Sequence, residues 1–250
     1  MKVLLLRFDA PLLSFGGVSV DAQNVTDDMP SRSMVTGLIG NALGYDHADV
    51  EALARLQERI RMAVRRDVDG THVVDFQTVD LGQEFMASGW TTWGRPEGRD
   101  GGSAASGTHI RYRHYLADSL TTVAVTLMDA EEPPTVDAIH EAVNEPARPL
   151  FLGRKACLPS TPIALGVMEA DSLVSVLRAL PIQRRGVLRE RAGEARVCRI
   201  RVPRGAEVPD TLDTVEVAVT EDRDWPNQIH VGRSIVLEGA MRCGVAEEIA

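Results

Sequence analysis

The chain has 250 residues, 44% of them hydrophobic and 25% charged, with a formal net charge of −9. That profile fits one large or two small globular domains, and no apolar run approaches the roughly 20 residues that span a bilayer. Three cysteines, Cys157, Cys198 and Cys243, lie far apart, which excludes a disulfide framework and a clustered zinc site and reads as buried apolar thiols. Met1 to Arg7 picks up charge too soon for a signal peptide, so Val3 to Phe8 is expected as a first strand and the protein in the cytoplasm. Pro11 to Thr26 follows as an irregular loop. Ser31 or Ser33 can cap a helix in which Met34, Leu38, Ile39, Ala42 and Leu43 recur at helical spacing, with Gly44 as its stop. A second helix is expected over Ala48 to Val64, carrying Leu53, Leu56, Ile60 and Ala63 on its apolar face.

His72 to Val79 reads as a half-buried strand. Gly94 to Gly107 holds five glycines in fourteen residues and is expected to be mobile, because ordering it costs roughly 1–2 kcal/mol per residue with little to bury. Ile110 to Tyr115 alternates with period two, so this region reads as a long hairpin with a mobile tip. Leu120 to Met128 is a β-branched strand, Pro134 to Val143 a helix and Ile163 to Val167 another strand. A short helix to Leu180 and strands near Ala195–Val202, Thr214–Thr220 and His230–Leu237 complete the chain. The predicted class is α+β: a ferredoxin-like, RRM-type domain over residues 1–168 with the hairpin inserted, and a smaller, mainly β part over 169–250.

The negative net charge hides an uneven distribution. Arginine supplies 25 of the 27 cations, Lys2 and Lys155 being the only lysines. Eight arginines fall between Ile182 and Arg204 against Glu190 and Glu194, while acid gathers at Asp46–Glu51, Asp129–Glu132 and Glu207–Asp224. A basic face on an acidic body suits RNA held within an assembly, and an acidic enzyme with solvated surfaces is the other reading of the same charge.

Gly37 to Gly44 matches neither dinucleotide nor P-loop spacing, so its glycines read as packing residues. The start of that helix differs: free N–H groups, Ser31, Arg32 and Ser33 together offer a seat for a phosphate. Alternation places Tyr112 and His114 on one face of their strand and Arg111, Arg113 and Tyr115 on the other. Aromatic and arginine side chains in that pattern suit base stacking and phosphate contact. A histidine there also suits proton transfer from a 2′-hydroxyl. Arg154 and Lys155 lie in a loop after an apolar run, where adjacent cations are commonly only solvated. No H-E-x-x-H, no G-x-S-x-G and no metal-ligand spacing occurs, so neither a metal nor a cofactor is implied.

Five stretches, LRFDAPLLSFG from Leu6, PSRSMVTGLIGNALG from Pro30, DFQTV from Asp75, RHYLADSLTTV from Arg113 and PLFLGRKAC from Pro149, resemble the CasD family of type I-E CRISPR Cascade subunits, within the RAMP group of RRM-like proteins. The resemblance covers roughly residues 1 to 167 and is loose beyond. It implies a non-catalytic subunit that caps the 5′ handle of the CRISPR RNA. The implied partners are that crRNA, a CasC-like backbone subunit, a CasA-like large subunit and, through the complex, target DNA. Carried over, the thumb is roughly Leu81 to Arg111, and the handle crosses Ser31, Arg32 and Ser33, Gln77, the thumb base at Arg111 and Arg113, and Arg154 with Lys155. In type I-C relatives the equivalent subunit cuts precursor RNA with a Tyr, a Lys and a His. Tyr45, Arg113 and His114 are the positions that approach this pattern, with arginine where a proton-donating lysine would stand. That leaves a metal-independent endoribonuclease as the alternative reading.

Overall fold

The computed structural model describes residues 1–17, 21–81, 83, 88–90, 96–98, 107–182, 196–209 and 211–243. In chain order the first half contains β1 (Lys2–Asp9), β2 (Leu12–Leu13), β3 (Gln23–Asn24), α1 (Arg32–Leu43), α2 (Val50–Arg59), β4 (Ile60–Val68), β5 (Thr71–Asp80), β6 (Ser88–Trp90), β7 (Pro96–Gly98) and β8 (Thr108–Ala117). The second half contains β9 (Leu120–Leu127), α3 (Val136–Asn144), β10 (Ala164–Glu169), α4 (Leu173–Ala179), β11 (Arg196–Pro203), β12 (Thr211–Val219), β13 (Asp222–Asp224), β14 (Ile229–Val231) and β15 (Ser234–Cys243). The architecture is mixed α and β, built on large antiparallel sheets with four helices among the described residues, none of them long and apolar enough to cross a membrane.

The main sheet has the order β10-β1-β9-β4-β11-β15-β12. β1 and β9 lie inside it and are covered on both faces, which is why they read as nearly continuous apolar runs. Alternate residues serve two cores. Leu4, Leu6 and Phe8 pack with α1, α2 and α3 on one face, while Val3 and Leu5 pack with α4 on the other. On the α4 face Arg65 and Asp67 are fully buried and joined by a 2.6 Å bond. Arg65 also donates to the carbonyls of Leu177, Leu180 (2.7 Å) and Pro181 (3.1 Å), satisfying the open end of α4.

The second helix stops earlier than its apolar spacing predicts. It spans Val50–Arg59, and Ile60, Met62 and Val64 instead alternate along β4, opposite Leu127, Val125 and Val123 of β9. Isoleucine and valine gain more from that pleated surface than from another helical turn. A second correction concerns His72–Val79. The strand forms as β5, but it pairs with β8 from Thr71↔Ala117 to Asp80↔Thr108 in a separate sheet and is mostly exposed rather than half-buried. The hairpin arms therefore begin ten residues before the expected Leu81 and run past Arg111 to Ala117. Most of Gly94–Gly107 lies outside the described residues, as does most of the arginine-rich segment, residues 183–195.

The change of pattern after residue 168 is not a change of sheet. β11 pairs with β4 through Arg199↔Arg66, Ile200↔Arg65 and Arg201↔Val64, and β15 and β12 extend the same sheet outward. The three cysteines are free and buried, as their spacing implies. Burial pushes the Cys157 thiol up, away from nucleophilic use.

Candidate nucleic-acid interface

Ser31 begins α1 as its N-cap, its Oγ accepting the Met34 N–H at 3.2 Å, and Gly44 ends it in the left-handed region at φ 89°. The helix start is less open than the sequence suggests. The Ser33 N–H donates to the Glu221 carbonyl (2.8 Å), and Ser31 and Ser33 bond each other through their hydroxyls at 3.0 Å. Arg32 donates from Nε and Nη2 to the two carboxylate oxygens of Asp222, at 2.8 and 2.7 Å. The expected phosphate seat is therefore largely occupied by the β13–β14 hairpin. The hairpin is also fastened to α2 at Gln57, which exchanges two 3.1 Å bonds with the Arg223 backbone.

Arg154 and Lys155 enter from the opposite side. Arg154 donates to the carbonyls of His114 (2.7 Å) and Asn24 (2.8 Å) and sits 4.9 Å from the centroid of the Tyr115 ring. It ties the 151–157 loop to the hairpin sheet through neutral carbonyls, and no carboxylate among the described residues pairs with it. Lys155 beside it is exposed. Between these walls runs a cleft of about 570 Å³. Ser31, Ser33, Arg154 and Lys155 border it together with Arg223, Trp225 and His230 from the β13–β14 hairpin, over an apolar floor of Phe15, Met34 and Phe151. Burial, and after it the charge of Arg223, holds the His230 imidazole below its ordinary pKa of 6.5, so it stays neutral near pH 7. Ser14 Oγ, Arg223 Nε and Trp225 Nε1 are buried at its margin with no hydrogen-bond partner among the described residues.

The other sequence candidates lie elsewhere. Arg32 borders a second, smaller cleft rather than this one. Gln77 faces Arg111 across the hairpin and donates to Asp75, while Asp75 faces Arg113. Exposed Phe76 and half-buried Tyr112 form an aromatic pair there, with centroids 5.4 Å apart. His114 Nε2 contacts Gln23 Oε1 at 3.1 Å. Tyr45 packs at the end of α1 in a cavity shared with Asp46, His47 and Arg148. Tyr45, Arg113 and His114 are thus not assembled in one cleft. The residues missed from sequence are Arg223, Trp225 and His230. Their one signal was a single tryptophan inside the charged run Glu221 to Asp224 and its polar continuation.

Arg32→Ala should remove two charge-assisted bonds that hold the β13–β14 hairpin on α1 and cost about 1.5–3 kcal/mol. Urea denaturation measures this. The exchanged pair Arg32→Asp/Asp222→Arg should recover part of the loss, and a cost below about 0.5 kcal/mol would show that the bridge does not hold the hairpin.

Comparison with known proteins adds a second line. Residues 3–236 match the model of the family described as CRISPR-associated protein (Cas_Cas5). The CRISPR system Cascade subunit CasD of Escherichia coli (strain K12) is 30% identical over 176 residues, covering 67% of this chain and 72% of that protein. A chain of a solved CRISPR RNA-guided surveillance complex superposes with a TM-score of 0.65 at 28% identity, covering 97% of this chain and 90% of the other. A crystal structure of a Cas protein at 24% identity shares the fold, with a TM-score of 0.62 over 99% of this chain and all of that one.

Proposed function

The chain belongs to the Cas5 family of CRISPR-associated proteins, and from that premise we propose that it is the Cascade subunit that binds the 5′ handle of the crRNA without cutting it. The observation that carries this reading is the cleft between the Arg154–Lys155 loop and the β13–β14 hairpin. It combines cationic rims, an apolar floor and aromatic rings, the combination that holds single-stranded RNA. The handle runs along this cleft and across the face of β8 at Arg111 and Arg113, with Gln77 beside them. Arg32 acts through Asp222, by holding the second wall in place.

The neighbouring order β10-β1-β9-β4 is the fourth, first, third and second strand of a β-α-β-β-α-β chain, with α2 added. It supports the ferredoxin-like reading of residues 1–168. The β5–β8 hairpin serves as the thumb that reaches the adjoining CasC-like subunit, and residues 169–250 form a β extension of the same sheet. A CasA-like large subunit completes the DNA-targeting assembly in the cytoplasm. The separation of Tyr45 from Arg113 and His114 supports binding over cleavage.

The test is titration of the full chain with its labelled repeat-derived handle RNA at several salt concentrations, without metal. Affinity should fall with salt along a log–log slope of about −0.7 per phosphate contact, despite the net charge of −9. The RNA should remain intact. A flat titration would contradict phosphate contact, and metal-independent fragments lost on His114→Ala would establish a nuclease.

A further inference from the structure

On the other side of the Arg32–Asp222 bridge lies a cleft of about 340 Å³ that the handle path does not use. Arg32, Arg61, Arg201 and Arg204 all border it, where the main sheet at β4, β11 and β15 extends beyond α1. Three of these arginines have carboxylate partners: Asp222 for Arg32, Glu238 for Arg201 and Glu216 for Arg204. None of those three carboxylates borders the cleft. Arg61 differs. Among the described residues it donates to the carbonyls of Glu58 and Ile60 alone, at 2.8 and 2.9 Å. Burial disfavours its charge first, the neighbouring Arg32 disfavours it further, and Asp222 offsets this from a distance with both oxygens already held by Arg32. The one carboxyl lining the cleft is Glu221, whose pKa burial pushes up against the pull of Arg201 and Arg32. A cleft bordered by four arginines against one carboxyl, with Arg61 in no ion pair among the described residues, is complementary to an oxyanion.

We infer that this cleft is a second anion site, centred on Arg61, that takes a phosphate group of a nucleic-acid backbone. Arg61 supplies the unpaired charge, Arg204 approaches from the exposed rim, and Arg32 offers the N–H groups that its bridge to Asp222 leaves unused. The bridge is a wall common to both clefts. Ser31, Ser33 and Arg223 border the handle cleft, whereas Arg32 and Glu221, their neighbours in sequence, border this one. A strand leaving the handle cleft over the β13–β14 hairpin would meet the second site next.

Inorganic phosphate is the first probe, titrated into the full chain at constant ionic strength with chloride as balance and read by ³¹P line broadening. Saturable binding is expected, weakened about tenfold or more in Arg61→Gln, less in Arg61→Lys, and unchanged in Lys2→Ala, a cation paired with Asp137 that borders neither cleft. Arg204→Gln, at an exposed position, should weaken it severalfold and serves if Arg61→Gln fails to fold. Absence of saturable binding, or equal affinity in wild type and both glutamine variants, overturns the site. Octauridylate is the second probe. Displacement of bound phosphate supports a nucleic-acid source, and no displacement at saturating octamer overturns that source, leaving a free phosphate as the occupant.

Discussion

Gly153→Ala should cost about 2–6 kcal/mol, the sum of about 1–3 for a side chain forced into positive φ and about 1–3 for overpacking, and should abolish RNA binding with it. Gly153 sits at φ 109°, and a Cβ there would stand 1.7 Å from the Ser14 carbonyl oxygen. That oxygen belongs to backbone, so no rotamer change relieves the clash. Ser14 also donates to Leu152 at 3.2 Å, and Leu152 to Cys157 at 2.8 Å, so the loop and the strand end are locked together. Shifting either moves Arg154 off the His114 and Asn24 carbonyls and takes Lys155 from the cleft. Urea denaturation and handle binding measure the two effects. A folded, fully binding Gly153→Ala protein would mean that the close approach of these segments does not build the site.

The second large effect is expected at Asp67, far from the cleft. Asp67→Ala leaves the fully buried Arg65 charge without its carboxylate and should cost about 3–5 kcal/mol. Thr122 Oγ1, which donates to the other oxygen at 2.5 Å, loses its acceptor as well. The three carbonyls of Leu177, Leu180 and Pro181 remain as partners, but they carry only partial charge. Because this network faces α4 and not the cleft, RNA affinity should be unchanged at temperatures where the variant is folded. A stability loss under about 1 kcal/mol would show that the carbonyls alone satisfy Arg65.

These two sites mark what the sequence could and could not convey. Local signals were sufficient where one short segment decides the structure. Ser31 and Gly44 bound α1, and the β-branched run from Leu120 builds a central strand. They failed where a distant partner decides. Ile60 to Val64 carries an apolar spacing that also reads as helix, and only pairing with β9 makes it a strand. His72 to Val79 could be recognised as a strand but not assigned to a second sheet, because nothing within it reports that β8 is its partner. The same limit governs the candidate site. Arg154 and Lys155 were legible as adjacent cations on the loop that does border the cleft. Arg32 was legible as a cation at a helix start, but its engagement by Asp222, 190 positions along the chain, was not. Arg223, Trp225 and His230 reach the cleft because that same bridge, with the Ser33–Glu221 and Gln57–Arg223 bonds, seats their hairpin on α1 and α2.

The central claim, that RNA lies between the Arg154–Lys155 loop and the β13–β14 hairpin, is tested most directly by ultraviolet crosslinking of the handle RNA to the full chain, with the crosslinked peptides located by mass spectrometry. Crosslinks are expected on both walls, at Phe151 to Lys155 and at Trp225 to His230, and should be lost from both in Gly153→Ala. Crosslinks confined to α4 or to β10, with both walls unlabelled, would contradict the account.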